Sequence, residues 1–218
     1  MLTKFFDVHS DKLLIFLTGW GCDDAQFANM CPNLSFDLLL CWDYSDITFE
    51  HKIDFSKYKE IYLLAYSAGV FVAGVIQDML PHFVKSIALN GNPLMFDLHF
   101  GISSETLKVF RTLNLSNYMD FRKKYLVKSE EELEFFNNHS SIRSFESCND
   151  ELDKLEEIAK GVIKPYNFDV AILSDGDEIF NPETQKEYFT GKYKEVENAG
   201  HNLFYKFQTF QEIFEFIK

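Results

Sequence analysis

Glycine and proline are scarce, 10 and 5 in 218 residues, which excludes a collagen-like or low-complexity chain. Basic residues are outnumbered, 21 against 34 acidic, for a net charge of −13. A general nucleic-acid binder or a binder of anionic membranes needs the opposite balance, although local basic patches stay open. The apolar run near the start, Leu13 to Leu17, is too short for a signal peptide and far too short to span a bilayer. The four cysteines, Cys22, Cys31, Cys41 and Cys148, form no C-x-x-C pair, so zinc-ribbon and thioredoxin-like readings fall away and reduced thiols are expected. With 46% hydrophobic residues the chain is too apolar for intrinsic disorder, and its length suits one domain with its own core. A soluble cytoplasmic protein is the expectation.

Short apolar runs alternate with helical patterns. Leu13–Leu17, Leu38–Trp42, Ile61–Ala65, Val84–Leu89 and Val170–Leu173 read as buried strands, and Tyr193–Val196 as a weaker one. Val70–Leu80 is apolar all round and predicts a buried helix ended by Pro81. Glu183–Phe189 predicts a helix stopped near Gly191, and Lys206–Ile217 carries apolar residues at helical spacing. Strands alternating with helices predict an α/β fold with a mostly parallel sheet. Residues 94–164 break the alternation with helical periodicity alone, including a helix capped by Asn149 with Leu152, Leu155 and Ile158 on one face. They predict a helical lid inserted in a single domain spanning 1–218.

Ala65-Tyr66-Ser67-Ala68-Gly69 lies between a buried strand and a helix. Small residues flanking a serine at such a turn expose its hydroxyl at the carboxyl edge of the sheet, the logic of the nucleophile elbow. Ala65 stands where that motif usually has glycine, and the competing role for Ser67 is a helix cap. A serine nucleophile needs a base held by a third group, in the chain order serine, acid, histidine. His201, after Gly200, is the one histidine beyond the late acids Asp175, Asp177 and Glu178. Asp177 is the favoured acid because Asp-x-Ile-Phe-x-Pro leads from a turn into a helix; Asp175 suits a turn-stabilising role and Glu178 a solvated one. Backbone N–H groups of Ala68 and of Trp20, in Thr18-Gly19-Trp20-Gly21, are the candidate oxyanion donors. Trp20 could also pack in the core or under the lid.

Together with Ala88-Leu89-Asn90-Gly91-Asn92-Pro93-Leu94, Gly101-Ile102, Leu173–Phe180 and Ala199–Phe204, these stretches resemble α/β-hydrolases, and more narrowly the BioG-type esterases of biotin synthesis. The resemblance runs nearly end to end. It implies the α/β-hydrolase fold, hydrolysis of pimeloyl-[acyl-carrier protein] methyl ester to the free carboxylate and methanol, and no metal or organic cofactor.

A partner clue comes from the charges themselves. Gly101 to Lys128 holds Lys108, Arg111, Arg122, Lys123, Lys124 and Lys128 against two acids, while Ser129 to Glu157 holds ten acids against two bases. The basic stretch is a candidate dock for an acidic carrier protein, or an ordinary solvated face. Phe96, Phe100, Phe110 and Phe121 either line an acyl tunnel or form the lid's own core. An acyl thioesterase or broad esterase with the same triad, and a non-catalytic protein on a hydrolase fold, are the competing readings.

Overall fold

The computed structural model describes residues 1–49 and 51–218. Its seven strands are β1 (Leu2–Phe6), β2 (Lys12–Leu17), β3 (Asp37–Trp42), β4 (Glu60–Tyr66), β5 (Lys85–Leu89), β6 (Val170–Ser174) and β7 (Tyr193–Val196), in the sheet order β1-β3-β2-β4-β5-β6-β7. Among the described residues, only the β1–β3 pair is antiparallel. β1 is the strand that hydrophobic patterning misses: its residues are mostly exposed or half-buried at the sheet edge, so it has no continuous apolar run.

The central strands are apolar throughout because each face of the sheet meets a core. Leu13, Ile15 and Leu17 of β2 enter one core and Leu14 and Phe16 the other, and β3 and β4 alternate in the same way. Helix α1 (Ala68–Val75) packs on the first face, with Ala68 to Gly74 all buried. α7 (Phe210–Phe216) covers the second face through Phe210 and Ile213. α6 (Pro182–Tyr188) follows β6, its first turn capped by Asn181.

Two helices are shorter than their apolar patterns. α1 stops at Val75, where the Gln77 side chain takes the Gly74 carbonyl at 2.9 Å and the Lys164 carbonyl at 2.8 Å; Gln77–Met79 then form a separate 3-10 turn before Pro81. The C-terminal helix starts at Phe210, behind a Thr209 cap.

Four helices fill the stretch between β5 and β6: α2 (Ser104–Arg111), α3 (Tyr118–Leu126), α4 (Glu130–Asn138) and α5 (Phe145–Ala159). Ser144, not Asn149, caps α5. Asn149 lies inside the helix, since the Ser144 hydroxyl already accepts the Ser147 N–H one turn upstream.

Because β2, β4, β5, β6 and β7 run parallel, their carboxyl ends share one edge, where ligands bind in open α/β sheets. The loops carrying Trp20, Ser67, Asp177 and His201 all leave from that edge. No helix among the described residues is long and apolar enough to cross a membrane.

Candidate active site

β4 delivers the chain into a tight reversal at Ser67, which sits at φ 54° and ψ −120°. A non-glycine residue with positive φ is strained, and such strain persists only where surrounding structure enforces it. Two close approaches enforce it here. A Cβ on Gly69 would lie 2.3 Å from the Leu17 carbonyl oxygen, and one on Gly91 would lie 2.4 Å from that of Ser67. Ala65 sits one turn of the pleat earlier, fully buried and paired with Leu17 and Ala88, so a methyl group is accommodated where the elbow motif usually has none. Ser67 makes no side-chain cap to α1, which removes the competing role.

The Ser67 hydroxyl instead meets His201 Nε2 at 2.9 Å, and His201 Nδ1 meets Asp177 Oδ2 at 2.8 Å. All three side chains are buried. The other Asp177 oxygen accepts the N–H groups of Ile179 at 2.7 Å and Phe180 at 3.1 Å, so the carboxylate is anchored by its own loop while facing the imidazole. The ring of Phe180 stacks on His201 with centroids 6.0 Å apart, and the Tyr66 ring flanks it at 5.3 Å. A hydroxyl, an imidazole and a carboxylate in such a line can move a proton from oxygen to nitrogen while the carboxylate fixes the ring.

The other two late acids are occupied elsewhere. Asp175 does not serve its own turn: it accepts the N–H groups of Asn198 and Ala199 at 3.0 and 3.2 Å, shaping the loop that presents His201. Glu178 is ion-paired with Lys128 rather than simply solvated.

The loop after β2 lies against the serine, with Gly19 so close that a Cβ there would stand 3.1 Å from Ser67 Cβ. Among the described residues, the backbone N–H groups of Trp20 and Ala68 donate to no protein acceptor. The Trp20 side chain packs in the helical stretch: its ring stacks on Phe110 at 5.1 Å, and its indole N–H donates to the Cys148 carbonyl at 2.6 Å. Gly21 N–H is held at 2.9 Å by Glu151 of α5. Glu151 also accepts Tyr44 N–H and pairs with Arg143 at 2.7 Å. Burial pushes the Glu151 carboxyl above its ordinary range, while Arg143 and the two N–H groups pull it back.

Ser67, His201 and Trp20 open onto a narrow cavity of about 40 Å³ that Phe110, Phe121, Ile102 and Met95 also line. Phe110 and Phe121 thus face the cavity, whereas Phe96 packs on Phe71 and Phe100 on Tyr188. Cys22 lines the cavity too, but burial pushes its thiol up to about 12, so it stays a protonated, weak nucleophile.

Arg122 departs from its expected place. It is buried, not displayed, with its guanidinium 5.7 Å from the Tyr118 ring and 5.1 Å from that of Phe136, and it lines the cavity. Successive helix positions point about 100° apart, so Arg122 faces inward while Lys123 and Lys124 are exposed. Arg111 is engaged by Glu156 at 3.2 Å, and Lys108 is exposed. Sequence patterning also passes over Asn90, legible only as a strand stop. Its amide donates to Ser174 Oγ at 2.7 Å and to the His201 carbonyl at 2.8 Å, and its oxygen accepts Ser174 N–H at 2.8 Å. Asn90 therefore ties the ends of β5 and β6 to the histidine loop.

The model of the family described as "Pimeloyl-ACP methyl esterase BioG" matches residues 1–213 of this chain. The chain belongs to that family. A Haemophilus influenzae protein described as uncharacterized is 29% identical over 214 residues, covering 95% of this chain and 96% of the relative. The crystal structure of BioG from Haemophilus influenzae superposes with a TM-score of 0.83 at 27% identity, covering 97% of this chain and 99% of that one. An esterase from Exiguobacterium antarcticum, 16% identical with a TM-score of 0.68 over 99% of this chain and 95% of its own, shares the α/β-hydrolase fold. This BioG-family chain is accordingly an α/β-hydrolase and a hydrolytic enzyme, which sets aside the reading of a non-catalytic protein on that fold.

Proposed function

We propose that the protein hydrolyses the methyl ester of a pimeloyl group carried on an acyl-carrier protein, with Ser67 as nucleophile, His201 as general base and acid, and Asp177 as the group that orients the imidazole. The observation that carries the reading is the buried line Asp177–His201–Ser67, with hydrogen bonds of 2.8 and 2.9 Å, opening onto one cavity. The family match supports this choice of substrate.

Ser67 Oγ adds to the ester carbonyl carbon as its proton passes to His201 Nε2, and the carbonyl oxygen becomes an oxyanion. The free N–H groups of Trp20 and Ala68 are the groups available to receive that oxygen. The tetrahedral intermediate collapses by breaking the bond to the methoxy oxygen, which takes the proton from the imidazolium and leaves as methanol. Water then repeats the sequence on the acyl-enzyme: its proton goes to His201, its oxygen bonds the acyl carbon, and the serine leaves with the proton restored. The products are the free carboxylate and methanol, and the acyl–carrier thioester at the far end is untouched.

We read residues 94–164 as a lid over this site, because the described part of that stretch supplies Phe110, Phe121 and Arg122 to the cavity. An acidic carrier would dock beside it, at Lys108, Lys123 and Lys124, which are exposed. The test is methanol release from pimeloyl-carrier methyl ester by wild type and by Ser67→Ala. Release by wild type alone supports the reading. Preferential cleavage of the thioester on the same carrier would make the enzyme a thioesterase instead.

A further inference from the structure

A carboxylate is expensive to bury, so one that is buried has partners that explain it. Glu132 lies in the first turn of α4 and is only 2% exposed. Two backbone N–H groups donate to it, and the Tyr205 hydroxyl also lies against the carboxylate. One oxygen accepts Lys128 N–H at 2.7 Å, a local bond just outside the helix start that Ser129 caps. The other crosses 68 residues of sequence to accept Gly200 N–H at 3.2 Å.

That second bond falls on the residue immediately before His201. The Gly200 carbonyl is held at the same time by Ser174 Oγ at 2.7 Å and by the Asn90 amide at 3.2 Å. The residue leading into the histidine is thus gripped at its N–H from the lid and at its carbonyl from the sheet. The contact is tight: a Cβ on Gly200 would lie 2.8 Å from a Glu132 oxygen and 2.8 Å from Lys128 Cγ. Lys128 itself pairs with Glu178, the neighbour of Asp177. One short stretch of the lid therefore reaches both loops that supply the imidazole and its carboxylate.

We infer that Glu132 is a positioning residue for His201, a reading that rests on the triad assigned above and extends it into the lid. Helix capping explains the Lys128 bond alone. The Gly200 bond fixes the height and tilt of the loop from which the imidazole reaches Ser67. Misplacing a reacting group by about 1 Å lowers rates on the order of a hundredfold, so a partial relaxation of the loop is expected to lower turnover about tenfold.

The test uses the full chain with p-nitrophenyl acetate and a fluorophosphonate probe. In the probe reaction Ser67 Oγ bonds phosphorus, fluoride leaves, and the serine proton passes to His201. A wild type that does not label overturns the triad, and this inference with it. Where wild type labels and Ser67→Ala does not, the triad stands and the clamp is judged alone. Glu132→Leu removes both acceptors at similar volume. It is expected to lower kcat on the small ester about tenfold or more with KM within about twofold, and to slow labelling in proportion. Glu132→Gln keeps one oxygen and is expected to recover most of both rates. A folded Leu variant with wild-type kcat and labelling overturns the inference, as does a loss confined to KM. If the Leu variant does not fold, Gly200→Ala decides, since its methyl crowds the Glu132 carboxylate, and Lys128 Cγ beside it, while every side chain of the lid is kept. It is expected to lower kcat and labelling together with KM nearly held, and a folded Gly200→Ala variant with wild-type kcat and labelling overturns the clamp.

Discussion

Ser67 is buried, yet it contributes little apolar contact and its hydroxyl meets the imidazole, so Ser67→Ala should abolish hydrolysis while leaving the melting temperature close to wild type. His201→Ala should be equally damaging, because groups that act as a unit fail together. Asp177→Asn should be severe: its Oδ2 faces Nδ1, and an amide nitrogen turned toward the imidazole would favour the wrong tautomer. Asp175→Asn and Glu178→Gln should be milder, since these side chains hold the Asn198–Ala199 backbone and Lys128 rather than the ring. Steady-state kcat for the five variants on one ester checks the ranking, and Asp175→Asn emerging as the worst of the three acid variants would move the assignment two residues back, to Asp175.

At the scale of elements, the strand ends matter more than the strands. Asn90, at φ 41°, satisfies buried groups of β6 and of the histidine loop at once. Asn90→Ala leaves Ser174 N–H without its acceptor, a loss of about 1–3 kcal/mol when a buried group is orphaned. Urea unfolding should show that loss with an unchanged slope, and kcat should fall because the His201 carbonyl is left with the longer bond from the Tyr66 hydroxyl, at 3.3 Å. The sequence makes the positions of Ser67, Asp177 and His201 legible because strand-end motifs are local: an apolar run, a turn and a small residue lie within a few positions of each other. It makes the central strands legible because two cores demand continuous apolar runs, and it hides β1 because an exposed edge demands none. Glu132, Glu151 and the inward turn of Arg122 stay hidden for a different reason. Each acquires its role from a contact made only after the helices between β5 and β6 fold onto distant parts of the chain, and in the sequence the first two are just members of an acidic run.

For the molecule as a whole, a net charge of −13 sets an unfavourable field for an acidic carrier, so any docking must come from local cations. Arg122 cannot serve on that surface because it is buried in the cavity wall. Lys123→Glu with Lys124→Glu should therefore lower kcat/KM for the carrier-linked ester and spare a small, carrier-free ester. The carrier-linked rate of wild type should also fall with salt, since exposed charges are screened over about 8–10 Å near physiological ionic strength. Measuring both substrates at two salt concentrations separates docking from damage to the helices around the cavity, which would lower both rates alike.

The hydrogen bond between Ser67 and His201 joins groups 134 residues apart, on opposite sides of the helices α2–α5 in chain order. Closing so long a loop is entropically slow, and β6 and β7, which launch the acid and histidine loops, can dock only after the helical segment between them and β5 has been made. Chemical competence is then the last property the folding chain acquires. On dilution from denaturant, helical circular dichroism should return before ester hydrolysis does, and a ribosome-bound chain ending before residue 201 should hold most of its sheet and no activity at all.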